Sequence, residues 1–347
     1  MAAALPLPAD AISAKSAILV DGNTGRILYE KNPDDQSLIA STTKIMTALI
    51  ICEQCNVLER MRIPKEAVGI EGSSMYLQEG EILTIQDLLY GMMLHSGNDA
   101  ATALAIYCSG TVEGFTELMN DKASTLGMMS SHFVNPHGLD APEHYSTARD
   151  LAILAVEAMK NPIFAATVSA KSLSTGNRKL TNHNKLLWRV DGANGVKTGY
   201  TKAAGRILVS GAKRDGRQLI AVTINAPDDW NDHTEMLEEG FKRYTQRQLI
   251  RKGDVLGTVE VAWGIHEMVS LMASQDFFWA MAQGEVVSIE LPGNGFVYAP
   301  VNQGQWAGNA HIFVDGEKAG TIELEYSCTA EQIQEPKLTI WQRLLGG

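Results

Sequence analysis

The chain has 347 residues, 45% of them hydrophobic and 20% charged, with a formal net charge of -11 from 29 basic and 40 acidic side chains. This is the composition of a folded globular protein with material for two domains, and it excludes a disordered or fibrous chain. The acidic balance argues against nucleic acid as a partner and also repels anionic cell-surface polymers, so binding to such a polymer needs a local basic site.

Residues 1–14 read as a tail. The opening run MAAALPLPADA lacks the basic start and the length of a complete signal peptide. It matches the end of one and an ordinary chain start alike, and both readings stay open. No segment approaches the roughly 18–20 apolar residues of a membrane span. Residues 15–21 and 26–30 are strand-like around a turn at 22–25, a hairpin signal. Ser41 opens an apolar helical run through Ile51. Thr84 and Asp87 fit a capping pattern, followed by a helix over 88–94. His95-Ser96-Gly97-Asn98 breaks it before a second helix over 99–108.

Further helices are expected over 111–126, stopped at Gly127, and over 151–160, opened by Thr147 and Asp150 and ended by Asn161-Pro162. Strands over 206–213 and 217–225 are joined through Asp215-Gly216, and a last helix runs from Asp232 to about Gln248. Strands at both ends of the first 250 residues predict one antiparallel sheet with helices packed on it. After Gly253, short β-like runs at 255–261, 286–291, 311–314 and 321–326 predict a second, β-rich domain. The expected boundaries are 15–252 and 253–336. Residues 337–347 have apolar positions that either begin an amphipathic, membrane-surface helix or end an ordinary one.

The four cysteines are Cys52, Cys55, Cys108 and Cys328. Cys52 and Cys55 form a C-x-x-C inside an apolar helical pattern, with no second pair at metal spacing. Buried, inert thiols are expected, and no cofactor or metal.

Three short motifs carry chemistry. Ser41-Thr42-Thr43-Lys44 is an S-x-x-K. Alone it is weak, because composition predicts on the order of one match in such a chain. A second match, Ser210 to Lys213, lies in a strand pattern, where odd spacing sends the two side chains to opposite faces. On a helix, i and i+3 share a face, so only Ser41 and Lys44 can meet. Ser96-Gly97-Asn98 falls in a break between helices, and Lys197-Thr198-Gly199 enters a strand after a Gly-rich loop. The missing side chain at Gly199 would let a substrate backbone approach the strand edge. Read singly, the motifs have ordinary meanings: a capped helix, a polar loop, a solvated turn. In this order, each on its proper element, they form the constellation of acyl-transfer serine enzymes.

The chemistry is consistent. A serine hydroxyl needs a base, and Lys44 serves only when neutral, which burial and the nearby cation Lys197 would favour. Ser96 is placed to relay a proton to the leaving amine, and Asn98 to fix Lys44 and the substrate amide. Lys197 and Thr198 offer a cation and a hydroxyl to a terminal carboxylate. Two backbone amides would hold the oxyanion.

With IASTTKIMTAL around Ser41, HSGNDAA around Ser96, NPHGLD at 135–140, HYSTARDLA at 144–152 and GVKTGYT at 195–201, residues 15–250 resemble the low-molecular-mass penicillin-binding proteins, the D-alanyl-D-alanine carboxypeptidases. The resemblance implies an α/β (α+β) fold of the penicillin-binding/β-lactamase type: a helical cluster on a five-stranded antiparallel sheet, plus a small C-terminal β-rich domain. It implies removal of the terminal D-alanine from peptidoglycan stem pentapeptides, acylation of Ser41 by β-lactams, and an oxyanion hole at the amides of Ser41 and Tyr200. It also implies an extracytoplasmic, envelope location, with peripheral membrane contact through the C-terminus. One departure stands out. Some relatives carry an arginine just after the strand matching 219–225, where this chain reads Ala226-Pro227-Asp228-Asp229. Carboxylate binding is therefore left to Lys197 and Thr198.

His137, Asp140 and His144 match no standard ligand spacing, and loop roles are expected of them. A class A β-lactamase would have Ser-Asp-Asn at 96–98 and a Glu-x-x-Leu-Asn loop, and the sequence has neither. A catalytically silent peptidoglycan-binding scaffold would not need every reactive position intact.

Overall fold

A computed structural model of the chain describes residues 12–293 and 295–334. Residues 1–11 of the expected tail and the whole of the expected C-terminal amphipathic helix lie outside the described residues. Contacts divide the chain into two compact units, with the division between Tyr244 and Thr245.

The first unit is built on β1 (Ser16–Asp21), β2 (Ile27–Lys31), a 3-10 turn (Ala40–Thr43), α1 (Lys44–Gln54), β3 (Arg60–Arg62), β4 (Ile82–Thr84), α2 (Ile85–Leu94), α3 (Asn98–Ser109), α4 (Val112–Thr125), α5 (Ala148–Lys160), α6 (Pro162–Ser169), β5 (Ser172–Thr175), β6 (Arg178–Thr181), β7 (Ala193–Thr201), β8 (Gly205–Arg214), β9 (Arg217–Ile224) and α7 (Asp229–Arg243). The main sheet has the order β2-β1-β9-β8-β7, antiparallel throughout. Thus the last strands in sequence join the first, and the expected helix-on-sheet fold is present. The packed chain begins before residue 15: Ile12 and Ala14 are buried, and Ser13 Oγ donates to Asp232 at 2.8 Å.

Helix α1 explains where the core sits. Every residue from Lys44 to Cys52 is buried, and a helix apolar on nearly all sides is stable only when surrounded. Each of its large aliphatic side chains contributes roughly 1.5–3 kcal/mol by leaving water. The helix starts follow the sequence signals. Thr84 accepts from the Asp87 N–H, and Asp87 answers in a full capping box; Thr147 accepts from Asp150 N at 3.1 Å.

Three elements differ from the sequence expectation. Ser41 sits in the 3-10 turn, and α1 begins only at Lys44. Asn161-Pro162 ends α5 but also starts α6: Asn161 caps it and Pro162 occupies its first turn, where a missing N–H costs nothing. The last helix stops at Arg243, five residues early, because Tyr244 turns extended and buries its ring while Ile250 enters a second core.

The second unit is β-rich. Strands β10 (Tyr244–Ile250), β11 (Val255–Ala262), β12 (Met268–Ala273), β13 (Phe277–Ala282), β14 (Val287–Glu290), β15 (Phe296–Tyr298), β16 (Trp306–Val314) and β17 (Glu317–Tyr326) follow. A six-stranded sheet of order β14-β16-β17-β12-β11-β15 and the pair β10-β13 enclose Val259, Val261, Leu271, Ile312, Ile322 and Leu324. Asp315-Gly316 turns β16 into β17, as its dipeptide predicts. Cys52 is buried, the other three cysteines are half-buried, and all four are free thiols.

Candidate active site

The turn that carries Ser41 is held from three sides. Thr42 Oγ1 donates to Ile39 O at 2.5 Å and Thr43 Oγ1 to Ala40 O at 2.9 Å, closing the turn on itself. Ala40 takes φ +44, a left-handed conformation rare for a residue with a side chain. The loop at 135–140 packs beneath: Asn135 Oδ1 accepts from Gly138 N at 2.7 Å, and Asn135 Nδ2 donates to Leu139 O at 2.9 Å. His144 Nε2 meets Thr43 Oγ1 at 2.7 Å. On the strand side, a Cβ added at Gly199 would lie 3.2 Å from both Ile39 O and Ser41 N. The sequence attributes this glycine to substrate access. Its contacts show that it also lets β7 approach the Ser41 turn.

Lys44 is fully buried. Its Nζ lies 2.9 Å from Ser41 Oγ, 2.7 Å from Asn98 Oδ1 and 2.7 Å from His137 O. The one-turn spacing thus brings hydroxyl and amine together although a 3-10 turn, and not an α-helix, joins them. Burial drives the Lys44 pKa well below that of a free lysine, and the Lys197 charge pushes it in the same direction. Asn98 opens α3, and its Nδ2 donates to Glu71 O at 2.6 Å, which fixes the amide with Oδ1 toward Lys44. Asp99 accepts from Met75 N at 2.9 Å and Leu77 N at 3.1 Å, tying the 73–77 loop to the same helix start. Ser96, in the break between α2 and α3, takes φ +65.

Lys197 is 1% exposed and donates to Thr198 O at 2.9 Å; burial lowers its pKa to about 7. Thr198 and Tyr200 alternate with it along β7 and are more open. A cleft of about 310 Å³ is lined by Ser41, Ser73, Ser96, His183, Thr198 and Gly199, and also by Tyr200, Arg206, Asp229 and Trp230. The structure therefore assembles the three motifs, 41–44, 96–98 and 197–199, around one opening. His137 and His144 serve the loop: Leu139 N donates to His137 Nδ1 at 3.2 Å and Val134 N to His144 Nδ1 at 3.1 Å. Burial holds both imidazoles neutral, at about 3 and about 4.

Sequence reasoning missed the His137 carbonyl, Ser73, His183, Arg206, Asp229 and Trp230. The Arg206 signal was present. A three-residue loop between β7 and β8 sets Arg206 directly across from Tyr200, and that loop follows the KTG motif.

A family profile described as D-alanyl-D-alanine carboxypeptidase matches residues 3–228, and one described as penicillin-binding protein 5, C-terminal domain, matches residues 244–332. The chain belongs to the D-alanyl-D-alanine carboxypeptidase family. Among curated members it is 35% identical to the D-alanyl-D-alanine carboxypeptidase DacF of Bacillus subtilis over 320 residues, 88% of this chain and 82% of that one. It is 32% identical to DacD of Escherichia coli over 322 residues, 87% and 83% of the two chains. Penicillin-binding protein 5 from Haemophilus influenzae superposes with a TM-score of 0.81 at 29% identity, over 92% of this chain and 98% of that one. As a D-alanyl-D-alanine carboxypeptidase, the chain is a serine hydrolase of cell-wall maturation that acts through an acyl-enzyme. The family acts on D-alanyl-D-alanine in peptidoglycan and binds β-lactams, and its members are bacterial cell-wall enzymes.

Proposed function

We propose that Ser41 is the nucleophile and Lys44 its general base, with Ser96, Asn98, Lys197, Thr198, Gly199 and the amides of Ser41 and Tyr200 completing the centre. The observation that carries this reading is the buried Lys44 Nζ, 2.9 Å from Ser41 Oγ and bound to two further acceptors. A neutral amine has two N–H donors and one lone pair. With the donors given to Asn98 Oδ1 and His137 O, the lone pair is left to face the Ser41 hydroxyl, which is the geometry a base requires.

Acylation then runs as follows. Ser41 gives its proton to Lys44 and attacks the carbonyl of the penultimate D-alanine. The developing oxyanion is held by the Ser41 and Tyr200 amides. Ser96 passes a proton to the amine of the departing D-alanine and is reprotonated by Lys44, which is then neutral again. Water attacks the ester and loses a proton to Lys44, and that proton returns to Ser41 Oγ as the ester breaks and the serine is released. Lys197 has two parts in this reading: its charge keeps the Lys44 amine neutral, and with Thr198 it draws the substrate carboxylate toward β7.

The stem pentapeptide of peptidoglycan is the proposed substrate. The outer face of the cytoplasmic membrane or the periplasm is the proposed place of action, with peripheral membrane contact through residues 337–347. The catalytic domain, expected over 15–252, is taken to end at Tyr244, and the β-rich one, expected over 253–336, to begin at Thr245, where the contacts divide.

Incubation with a fluorescent penicillin, followed by peptide mapping, tests the centre. The label is expected on Ser41, and Ser41→Ala is expected to abolish both labelling and D-alanine release from a peptide ending in D-Ala-D-Ala. Unchanged release would refute the assignment.

A further inference from the structure

The family's substrate ends in a free carboxylate, and this chain carries a net charge of -11. A local cation must overcome that repulsion. The two lysines of the centre are both buried to within 1% of full burial, so neither presents its charge at the surface, where an arriving carboxylate is first met. Among the described residues lining the cleft, Arg206 brings the positive charge to the surface. It stands on β8 directly across from Tyr200, and 42% of its side chain is open. A guanidinium keeps its charge throughout the working pH range and presents a rigid fork of five donors that matches a carboxylate.

The setting of Arg206 is built. Its Nη2 donates to Asp229 Oδ1 at 2.7 Å, and its guanidinium carbon lies 5.7 Å from the Trp230 ring centroid. Asp229 and Trp230 are the residues of the cleft that follow β9, in the stretch where the sequence shows no arginine. The Asp229 side chain is 4% exposed against 42% for that of Arg206, so the pair is anchored at a buried carboxylate while much of the arginine stays open.

We propose that Arg206, oriented by Asp229 and Trp230, binds the terminal carboxylate of the substrate together with the Thr198 hydroxyl and so sets the preference for peptides ending in a free acid. This rests on the carboxypeptidase activity of the family and extends it to a residue outside the three motifs.

The test is the ratio of kcat/KM for an acyl-D-Ala-D-Ala peptide to that for its C-terminal carboxamide, measured in wild type, Arg206→Gln and Arg206→Lys. A charged hydrogen-bonded contact corresponds to about 10- to 100-fold. Arg206→Gln is expected to lower the ratio by that factor, chiefly through KM, while Arg206→Lys keeps part of it. Acylation of Ser41 by an uncharged thioester, which needs no carboxylate anchor, should stay within about twofold. A ratio that holds in both variants overturns the proposal, whatever happens to the absolute rate. Equal losses on acid, amide and thioester overturn it as well and place the damage in the acylation centre. If Arg206→Gln fails to fold, the Arg206→Lys ratio decides alone: a fall supports the anchor, and a wild-type value overturns it.

Discussion

Replacing Gly138 by alanine tests whether the 135–140 loop holds the nucleophile in place. Gly138 has φ +88, and a Cβ there would lie 1.9 Å from Ala40 O, 2.4 Å from Ala40 C and 2.8 Å from Thr43 Oγ1. Two penalties act. The left-handed backbone costs about 1–2 kcal/mol for any residue with a Cβ. The overlap with backbone that cannot step aside adds about 1–3 kcal/mol. Gly127 separates them: its φ is +75 and nothing lies within 4 Å of an added Cβ, so Gly127→Ala carries the first penalty alone. In Gly138→Ala the Ala40 carbonyl, next in chain to Ser41, must retreat on the order of 1 Å, and such a misplacement costs about 100-fold in rate. The neighbouring His137 carbonyl, which accepts from Lys44, moves with it. The assay is the second-order rate of acylation by a fluorescent penicillin, corrected for native protein by urea unfolding. Gly127→Ala should acylate at nearly the wild-type rate and Gly138→Ala about 100-fold more slowly. Rates within threefold of one another in the native fractions would refute the reasoning.

Lys197→Met removes a cation that, after burial, holds the Lys44 pKa down; that pKa rises, so the acid limb of the kcat/KM profile moves to higher pH, and a limb that stays or moves down contradicts the coupling. Asp21→Asn strands the buried Arg217, whose Nε donates to Asp21 Oδ2 at 2.6 Å. About 3–5 kcal/mol should be lost in urea unfolding, with kcat/KM of the native fraction unchanged, and a loss below about 1 kcal/mol would show the pair to be dispensable. His233 is pushed down to about 3 by burial between Ser210 and Thr223. Between that value and the ordinary histidine range the unfolded chain holds the extra proton, so stability falls as pH drops from about 6.5. His233→Asn should flatten that dependence by about 1.4 kcal/mol per pH unit, and an unaltered slope would assign the acid sensitivity elsewhere.

Legibility in the sequence followed the range of the interactions. Capping at Thr84 and Thr147 and the turn at Asp215-Gly216 are local chemistry, so they could be read directly. The serine-lysine pair was also readable, because three residues separate its members. Asn98 was readable as a motif, but its bond to Glu71 O was not, since no local rule links a helix start to a loop 27 residues earlier. The strand β10 was misread because Tyr244 to Ile250 has no helix stop and is turned extended by burial at its two ends. Arg206 was passed over for a different reason. The three-residue loop after the KTG motif places it across from Tyr200, but the acid and the tryptophan that hold it follow another strand, and no local rule brings them together.

The order of the main sheet has a consequence for when the enzyme becomes active. Strand β9 is the bridge between β1 and β8, so β7 reaches the Ser41 turn only after residues 217–224 have been threaded between elements formed from opposite ends of the unit. A nascent, nicked or truncated copy lacking that bridge has its serine and its lysine but no wall opposite them. On the proposed mechanism, covalent capture by a β-lactam would therefore count only molecules in which the last central strand is home.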